Sequence, residues 1–390
     1  MAHQRNRYLF PIILRKRTLW PVLGVLGPRQ TGKSTLLRDQ VTPKIDARYI
    51  SFDRGEHRKR AEKSPDYFLS TIAGADQPLI IDEVQKVPEI FDAVKAAVDE
   101  RRRPGRFLLT GSTEFSRKTG IRESLTGRIG LLHLYPLTVR ETNERAFAAP
   151  WVTGKPLGGV SPAELNIWLE RGGMPGICFL RDAGERNALF QGYLDTSCFR
   201  DLQQVVGGKL SGDLALEIMH LMVQLERPNA SEIGAKLRAD TRRVKRHLEA
   251  LEALFLIHRL EPHRSGIGKD LFLPFDAGLA LHLGAPPAAR LKIWAINECL
   301  AQHEYAGRPR PKLRYYESSK HSLMDLVLEA GGKITGILLT DEAVPTPYLL
   351  RTAVAFRKRL PEVEVRVLAP TSEMHREAKG ISVIPWTMMA

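Results

Sequence analysis

Gly27-Pro28-Arg29-Gln30-Thr31-Gly32-Lys33-Ser34 carries glycine at both turns of the segment and closes on an ammonium and a hydroxyl. Such a run suits one task, the wrapping of backbone N–H groups around a phosphate, which only a glycine-punctuated turn between a strand and a helix start approaches closely enough. Lys33 would set its ammonium on the β and γ oxygens of a triphosphate, and Ser34 would offer its hydroxyl to a magnesium ion. Further on, the apolar run Leu79-Ile80-Ile81 ends in Asp82 and Glu83. Asp82 would hold the same ion through its water shell, and Glu83 is the natural base for an attacking water. The two motifs together predict ATP and Mg2+ as ligands, with the segment Gly27 to Thr35 around the nucleotide.

The flanks agree with this chemistry. Pro21 to Leu26 reads as a short buried strand and Thr35-Leu36-Leu37-Arg38 as the first turn of a helix, the context that a phosphate loop requires. A chance glycine-rich turn is the alternative, and the coincidence of strand, loop, helix and downstream acidic strand speaks against it.

From Val22 to about Leu134, short apolar strands alternate with amphipathic stretches: Tyr49 to Asp53, Leu79 to Asp82, Phe107 to Ser112 and Gly130 to Leu134. Alternation of this kind implies a parallel sheet covered on both faces, with the nucleotide at the carboxyl ends of its strands. A Gly-, Pro- and Ala-rich stretch from Thr142 to Ala163 marks a domain boundary, and the pattern beyond it is helical to about Gln224, punctuated by Arg171-Gly172-Gly173-Met174-Pro175-Gly176.

Arg227-Pro228-Asn229 opens a compact unit. Ser231 can cap a helix ending at Leu237, Arg238-Ala239-Asp240 makes a turn, and Thr241 can cap a second helix to Leu254, which is helix-turn-helix spacing. In the second helix Val244, Leu248 and Leu251 share one face, which turns Arg242, Arg243, Lys245, Arg246 and His247 toward solvent where a recognition helix makes its contacts. Phe255 to Leu260 and Leu271 to Pro274 read as a hairpin wing around Arg264 to Lys269. Packing or subunit docking is the competing role for such a unit. The last segment, from about Ala285, alternates a helix, strands Leu313 to Tyr316, Met324 to Leu328 and Ile334 to Leu339, a second helix and two further strands. This is an α/β unit and a third domain.

At 390 residues the chain is too long for one ordinary core. Its apolar runs are strand-sized, and neither a membrane span nor a secretory leader is legible, so a cytoplasmic location is expected. Cys178, Cys198 and Cys299 are far apart and read as buried free thiols. The net charge of +14 attracts polyanions, nucleic acid first among them; a host with a generally arginine-rich proteome is the other reading.

With the phosphate loop, the acidic strand, Thr110-Gly111-Ser112, and Leu125-Thr126-Gly127-Arg128 ahead of Tyr135-Pro136-Leu137-Thr138-Val139-Arg140-Glu141 in view, the chain resembles the AAA+ ATPases of the archaeal-ATPase-like type. That resemblance implies an α/β fold: a P-loop AAA+ parallel-sheet module over 1–150, a helical lid region over 151–226, a winged helix-turn-helix over 227–284 and a C-terminal restriction-endonuclease-like domain over 285–390. It places Ser112 at a sensor position that orients the attacking water, and makes Arg128 the candidate arginine finger acting on a neighbouring subunit, with Arg117 and Arg122 as rivals. Pairing of Arg128 with Glu141 or Glu144 is the plainer alternative. A finger supplied in trans implies a homo-oligomer, such as a hexameric ring.

An active nuclease domain of this group would need an acid on one strand and Glu-x-Lys on the next. Asp325 fits the first slot, but Leu338 and Thr340 hold the others, so no nuclease activity is expected. The leading expectation is therefore an ATP-driven machine acting on duplex or branched DNA. A nucleotide-gated switch that binds a protein partner or operator, without motor activity, is the alternative.

Overall fold

The computed structural model describes residues 5–74, 76–114, 125–205, 210–318, 322–378 and 380–390. The chain forms two compact units, one made of residues 4–135 with 253–255, the other of most of the remainder.

The first unit is built on a five-stranded, all-parallel sheet in the order β2-β3-β4-β1-β5. Its strands are β1 (Val22–Leu26), β2 (Arg48–Ser51), β3 (Leu79–Asp82), β4 (Phe107–Gly111) and β5 (Ile129–His133). Every residue of β1, β3 and β4 is buried. That is the mark of a sheet covered on both faces, and it explains why these strands read as continuous apolar runs rather than as alternating ones. Register brings the carboxyl ends level, since Leu26 lies beside Gly111 and His133, and Ser51 beside Asp82. Strand β4 sits between β1 and β3, so whatever ends β4 stands between the loop after β1 and the acids after β3. Phe52, Phe68, Phe91, Val94 and Phe107 pack into the core on the sheet. The expected helix after the loop starts as one turn, Lys33–Thr35, and then widens into a π-helix, Leu36–Val41.

The second unit carries an eight-stranded mixed sheet in the order β12-β13-β11-β10-β9-β8-β6-β7. Its members are β6 (Ile257–Pro262), β7 (Leu271–Pro274), β8 (Lys312–Glu317), β9 (Leu323–Ala330), β10 (Lys333–Leu339), β11 (Glu364–Ala369), β12 (His375–Ala378) and β13 (Ile381–Pro385). The hairpin β6–β7 is antiparallel as the sequence suggests, and β6 also pairs in parallel with β8 at Glu261–Arg314 and Pro262–Tyr315. One sheet therefore runs across the boundary expected near residue 284. Strand β12 had no sequence signal of its own, being short, with His375, Arg376 and Glu377 exposed and polar.

Beneath this sheet the helix Pro287–Tyr305 is buried along most of its length, polar residues included. Its buried amides have partners: Asn297 donates to Phe275 O at 2.7 Å, and Gln302 donates to Met389 O at 3.0 Å. Glu298 accepts from Val139 N at 2.9 Å, and burial pushes its carboxyl up to about 7.

The Gly172-Gly173 pair, singled out in sequence without a role, is a packing joint. Gly172 has φ +73°, and a Cβ there would stand 2.0 Å from Asp276 Oδ1. Asp276 Oδ2 accepts from Gly173 N at 2.8 Å, while its Oδ1 caps the helix Ala277–His282 through Leu279 N at 3.0 Å. Replacing Asp276 by Ala strands both buried N–H groups, so unfolding free energy should fall by about 2–5 kcal/mol. A denaturant midpoint unchanged from the parent protein would refute this account of the joint.

Candidate nucleotide site

The site grows from the end of β1. Leu134 N donates to Leu26 O at 2.7 Å, which presses one main chain against the next. Gly27, at φ +150°, follows at that point, and a Cβ on it would lie 2.2 Å from Leu134 O, so no larger residue fits. The loop then closes on itself: Thr31 Oγ1 donates to Pro28 O at 2.8 Å, and Gln30 takes a left-handed φ of 60°. Gly32, at φ +91°, heads the helix. Arg7, almost fully buried, reaches in from ahead of the first helix and donates to Thr31 O and Tyr135 O, both at 2.6 Å. The backbone shape of the loop is thus set by the protein itself.

Lys33 Nζ lies across this loop and donates to Gly27 O at 2.9 Å and Pro28 O at 2.6 Å. Only 4% of the residue is exposed. Burial lowers its pKa from 10.5 to about 8, against the pull of the Glu83 and Asp82 carboxylates, which raise it. A desolvated ammonium resting on neutral carbonyls is poised to exchange them for phosphate oxygens.

The acids stand at the end of β3. Asp82 is buried and accepts from Tyr49 Oη at 2.7 Å and from the Thr110 hydroxyl. Burial and then this bond push the Tyr49 hydroxyl far above the ordinary range, so it stays a donor. Glu83 turns out of the strand at φ 55°, a left-handed conformation that a non-glycine residue holds at a cost of about 1–3 kcal/mol and that clusters at functional sites. Its N–H donates to Thr110 Oγ1 at 3.2 Å, and its Oε2 accepts from Ser112 Oγ at 3.1 Å and from the Gln85 amide.

The structure therefore brings together Gly27, Pro28, Arg29, Gln30, Thr31, Gly32, Lys33, Ser34 and Thr35 with Asp82, Glu83 and Ser112. Sequence reasoning missed Arg7, Tyr49, Thr110 and Gln85 as their partners. Thr110 and Gln85 adjoin named motifs and were within reach; Arg7 and Tyr49 carry no local signal.

Arg128 stands elsewhere. It immediately precedes β5, whose start pairs with the start of β1, about 13 Å of strand from the loop. Its guanidinium makes a two-pronged bond to Asp99, at 2.6 and 2.8 Å, so Asp99 and not Glu141 or Glu144 is the acid it meets. Glu141 is occupied in a capping box with Thr138. Arg117 and Arg122 lie outside the described residues.

In the second unit, Arg242, Arg243, Lys245 and Arg246 are exposed on the helix Thr241–Ala253. His247 corrects the sequence reading: it is 1% exposed, with Nδ1 donating to Arg243 O at 2.7 Å and Nε2 accepting from Ser211 N at 3.2 Å. Both caps also move one or two residues upstream. Asn229 accepts from Ser231 N and Glu232 N, and Asp240 from Arg242 N and Arg243 N, in place of Ser231 and Thr241. Asp outranks Thr as a cap while Asn and Ser rank level, and here Asn229 and Asp240 each serve two donors. Asp325 is engaged by Lys292 Nζ at 2.7 Å and by Leu339 N at 2.9 Å.

Residues 20–143 match the family described as AAA domain, and residues 163–283 match a domain of unknown function, DUF8612. Two proteins named only as uncharacterized, from Mycobacterium bovis and Mycobacterium tuberculosis, are each 28% identical over 341 residues, covering 84% of this chain and 71% of theirs. Among solved structures, the Walker-type ATPase of Pyrococcus abyssi aligns with a TM-score of 0.46 at 15% identity, over 72% of this chain and 96% of that one. The DNA clamp loader delta protein of Bacillus subtilis aligns at 0.29 and 13% identity, over 63% of this chain and 88% of that one. Likenesses at that level decide neither fold nor function. The parallel sheet, its loop and the AAA domain match make this an α/β protein with a P-loop AAA+ module and an additional α/β unit.

Because the folded-state pKa of Lys33 lies below its ordinary value, the burial penalty is full below about pH 8 and fades as pH rises toward 10.5. Lys33→Met removes that penalty at pH 7. Nucleotide-free protein should unfold at equal or higher denaturant, by up to about 3 kcal/mol, while ATP affinity in calorimetry drops at least about a hundredfold. A less stable variant would contradict the first expectation, and retained affinity the second.

Proposed function

We propose that this chain binds ATP with magnesium at the carboxyl end of the β1–β5 sheet, hydrolyses it, and uses the cycle to move its second unit on duplex or branched DNA. The observation that supports hydrolysis is the joint placement of Lys33, Asp82 and the Glu83–Ser112 pair around one loop. Lys33 would exchange its two carbonyls for phosphate oxygens, gaining more from the charge than it does from neutral partners. Ser34 and Asp82 would share the magnesium ion. Among the described residues no three His, Cys, Asp or Glu side chains cluster to hold a metal alone, so the ion would arrive with the phosphates. Once bound, it neutralises charge on the phosphate oxygens. Glu83 would take a proton from the attacking water, with Ser112 fixing the direction of its carboxylate.

The exposed Arg242, Arg243, Lys245 and Arg246, with the charge of +14, support DNA as the macromolecular partner. The pair between Asp325 and Lys292 puts an ammonium where a nuclease would hold a metal, which supports the absence of nuclease chemistry. One observation favours a second reading. Arg128 is held by Asp99 and would have to leave that pair to serve a neighbouring subunit in a ring. A chain whose finger stays home would turn over slowly and act as a nucleotide-gated switch on a protein partner or operator.

Glu83→Gln should keep ATP bound while phosphate release slows by about 10²–10³; turnover within threefold of the parent removes Glu83 from the reaction. For DNA, Arg242→Ala combined with Arg246→Ala should make the slope of log affinity against log salt shallower by about 2. An unaltered slope reassigns the helix to packing.

A further inference from the structure

Gln85 lies on the short 3₁₀ turn Val84–Lys86 that follows the acid pair. Its side-chain nitrogen donates to Glu83 Oε2 and to Ser112 Oγ, the latter at 3.1 Å. A carboxylate oxygen only accepts, so the atom facing Glu83 is the nitrogen and the amide has one orientation. Both amide hydrogens are then spent. Oε1 is buried and has no hydrogen-bond partner among the described residues. A buried acceptor without a donor is destabilising, and such groups are rare enough in native proteins to need a reason. The left-handed backbone of Glu83, two residues away, is a second expense at the same spot.

We propose that Gln85 is the second acceptor for the attacking water, a role that rests on the hydrolysis reading above. A water whose lone pair points at phosphorus has two O–H bonds to place. Glu83 takes one and Gln85 Oε1 the other, while the Gln85 nitrogen and Ser112 keep the carboxylate aimed. As the water oxygen bonds to the γ-phosphorus, the bond from that phosphorus to the β–γ bridging oxygen breaks and its electron pair leaves with ADP. Glu83 accepts one water proton; the other stays on the product phosphate as a donor to Gln85. A residue that merely tied Glu83 to Ser112 would need only its nitrogen, and would leave the carbonyl idle.

The test is calorimetry on the full chain with magnesium and ADP, without and with aluminium fluoride, which mimics the transition state and holds a water in the attacking position. The parent protein should bind ADP at least about thirtyfold more tightly with the fluoride. Gln85→Leu should keep ADP affinity within twofold yet lose about tenfold or more of that tightening, and its kcat should fall about a hundredfold at a KM within threefold. Gln85→Glu, which keeps an acceptor oxygen, should recover part of both losses. If Gln85→Leu does not fold, judged by its melting midpoint, Gln85→Asn withdraws the carbonyl by one methylene and carries the same expectation. A parent that tightens normally and a variant that tightens equally overturn the role of Gln85 alone. A parent that binds no ADP, or gains nothing from the fluoride, overturns the hydrolysis reading and this proposal with it.

Discussion

An ammonium held out of water on two main-chain carbonyls is the interaction from which the rest of the nucleotide site follows. Lys33 can sit there only because the loop beneath it is wound tightly enough to present Gly27 O and Pro28 O to one atom. That winding requires a Cβ-free residue against Leu134 and a guanidinium, from Arg7, behind Thr31. The arrangement is unfavourable for a folded protein with nothing to bind, since burial alone pushes the charge toward loss. Stability and affinity for a polyanion therefore pull in opposite directions at one side chain, a common trade at functional sites.

The second constraint is the position of β4. Because it separates β1 from β3, its end supplies a polar bridge between loop and acids: Thr110 bonds Asp82 and the Glu83 backbone, and Ser112 bonds the Glu83 carboxylate. Tyr49, from the strand on the far side of β3, completes the set on Asp82. Asp82 is thus fixed from β2 and β4, and Glu83 from the end of β4 and from its own following turn. Hydrogen bonds chained in this way hold their geometry more firmly than isolated pairs.

Much of this was legible in the sequence, and the reasons differ by element. The strands β1, β3 and β4 were plain because a fully buried parallel strand must be apolar throughout, and the loop was plain because its glycines are dictated by space. The two-helix unit was placed correctly, yet its caps slipped to Asn229 and Asp240, since several polar residues in a row all satisfy a capping rule and only geometry selects among them. His247 was misread for a related cause. Helical spacing puts it on the margin of the basic face, and a backbone N–H from Ser211, distant in sequence, decided that it faces inward. Arg7 and Tyr49 were out of reach altogether, because partners separated by tens of residues leave no periodic trace. The acid missing from the Arg128 reading, Asp99, lies on a different helix and is of the same kind.

The shared sheet of the second unit has a mechanical consequence. Strand β6 is bonded on one side to β7 and on the other to β8, and the turn beyond it is stitched on by His263 N to Tyr315 O and Ile267 N to Glu317 O. Arg227, just ahead of the basic helix pair, is clamped to Glu317 at 2.5 Å. A hairpin anchored in this manner moves with the strands to which it is bonded. Any force felt at its tip would therefore tilt the neighbouring strands of the eight-stranded sheet as a single plate, the stiff base of a lever.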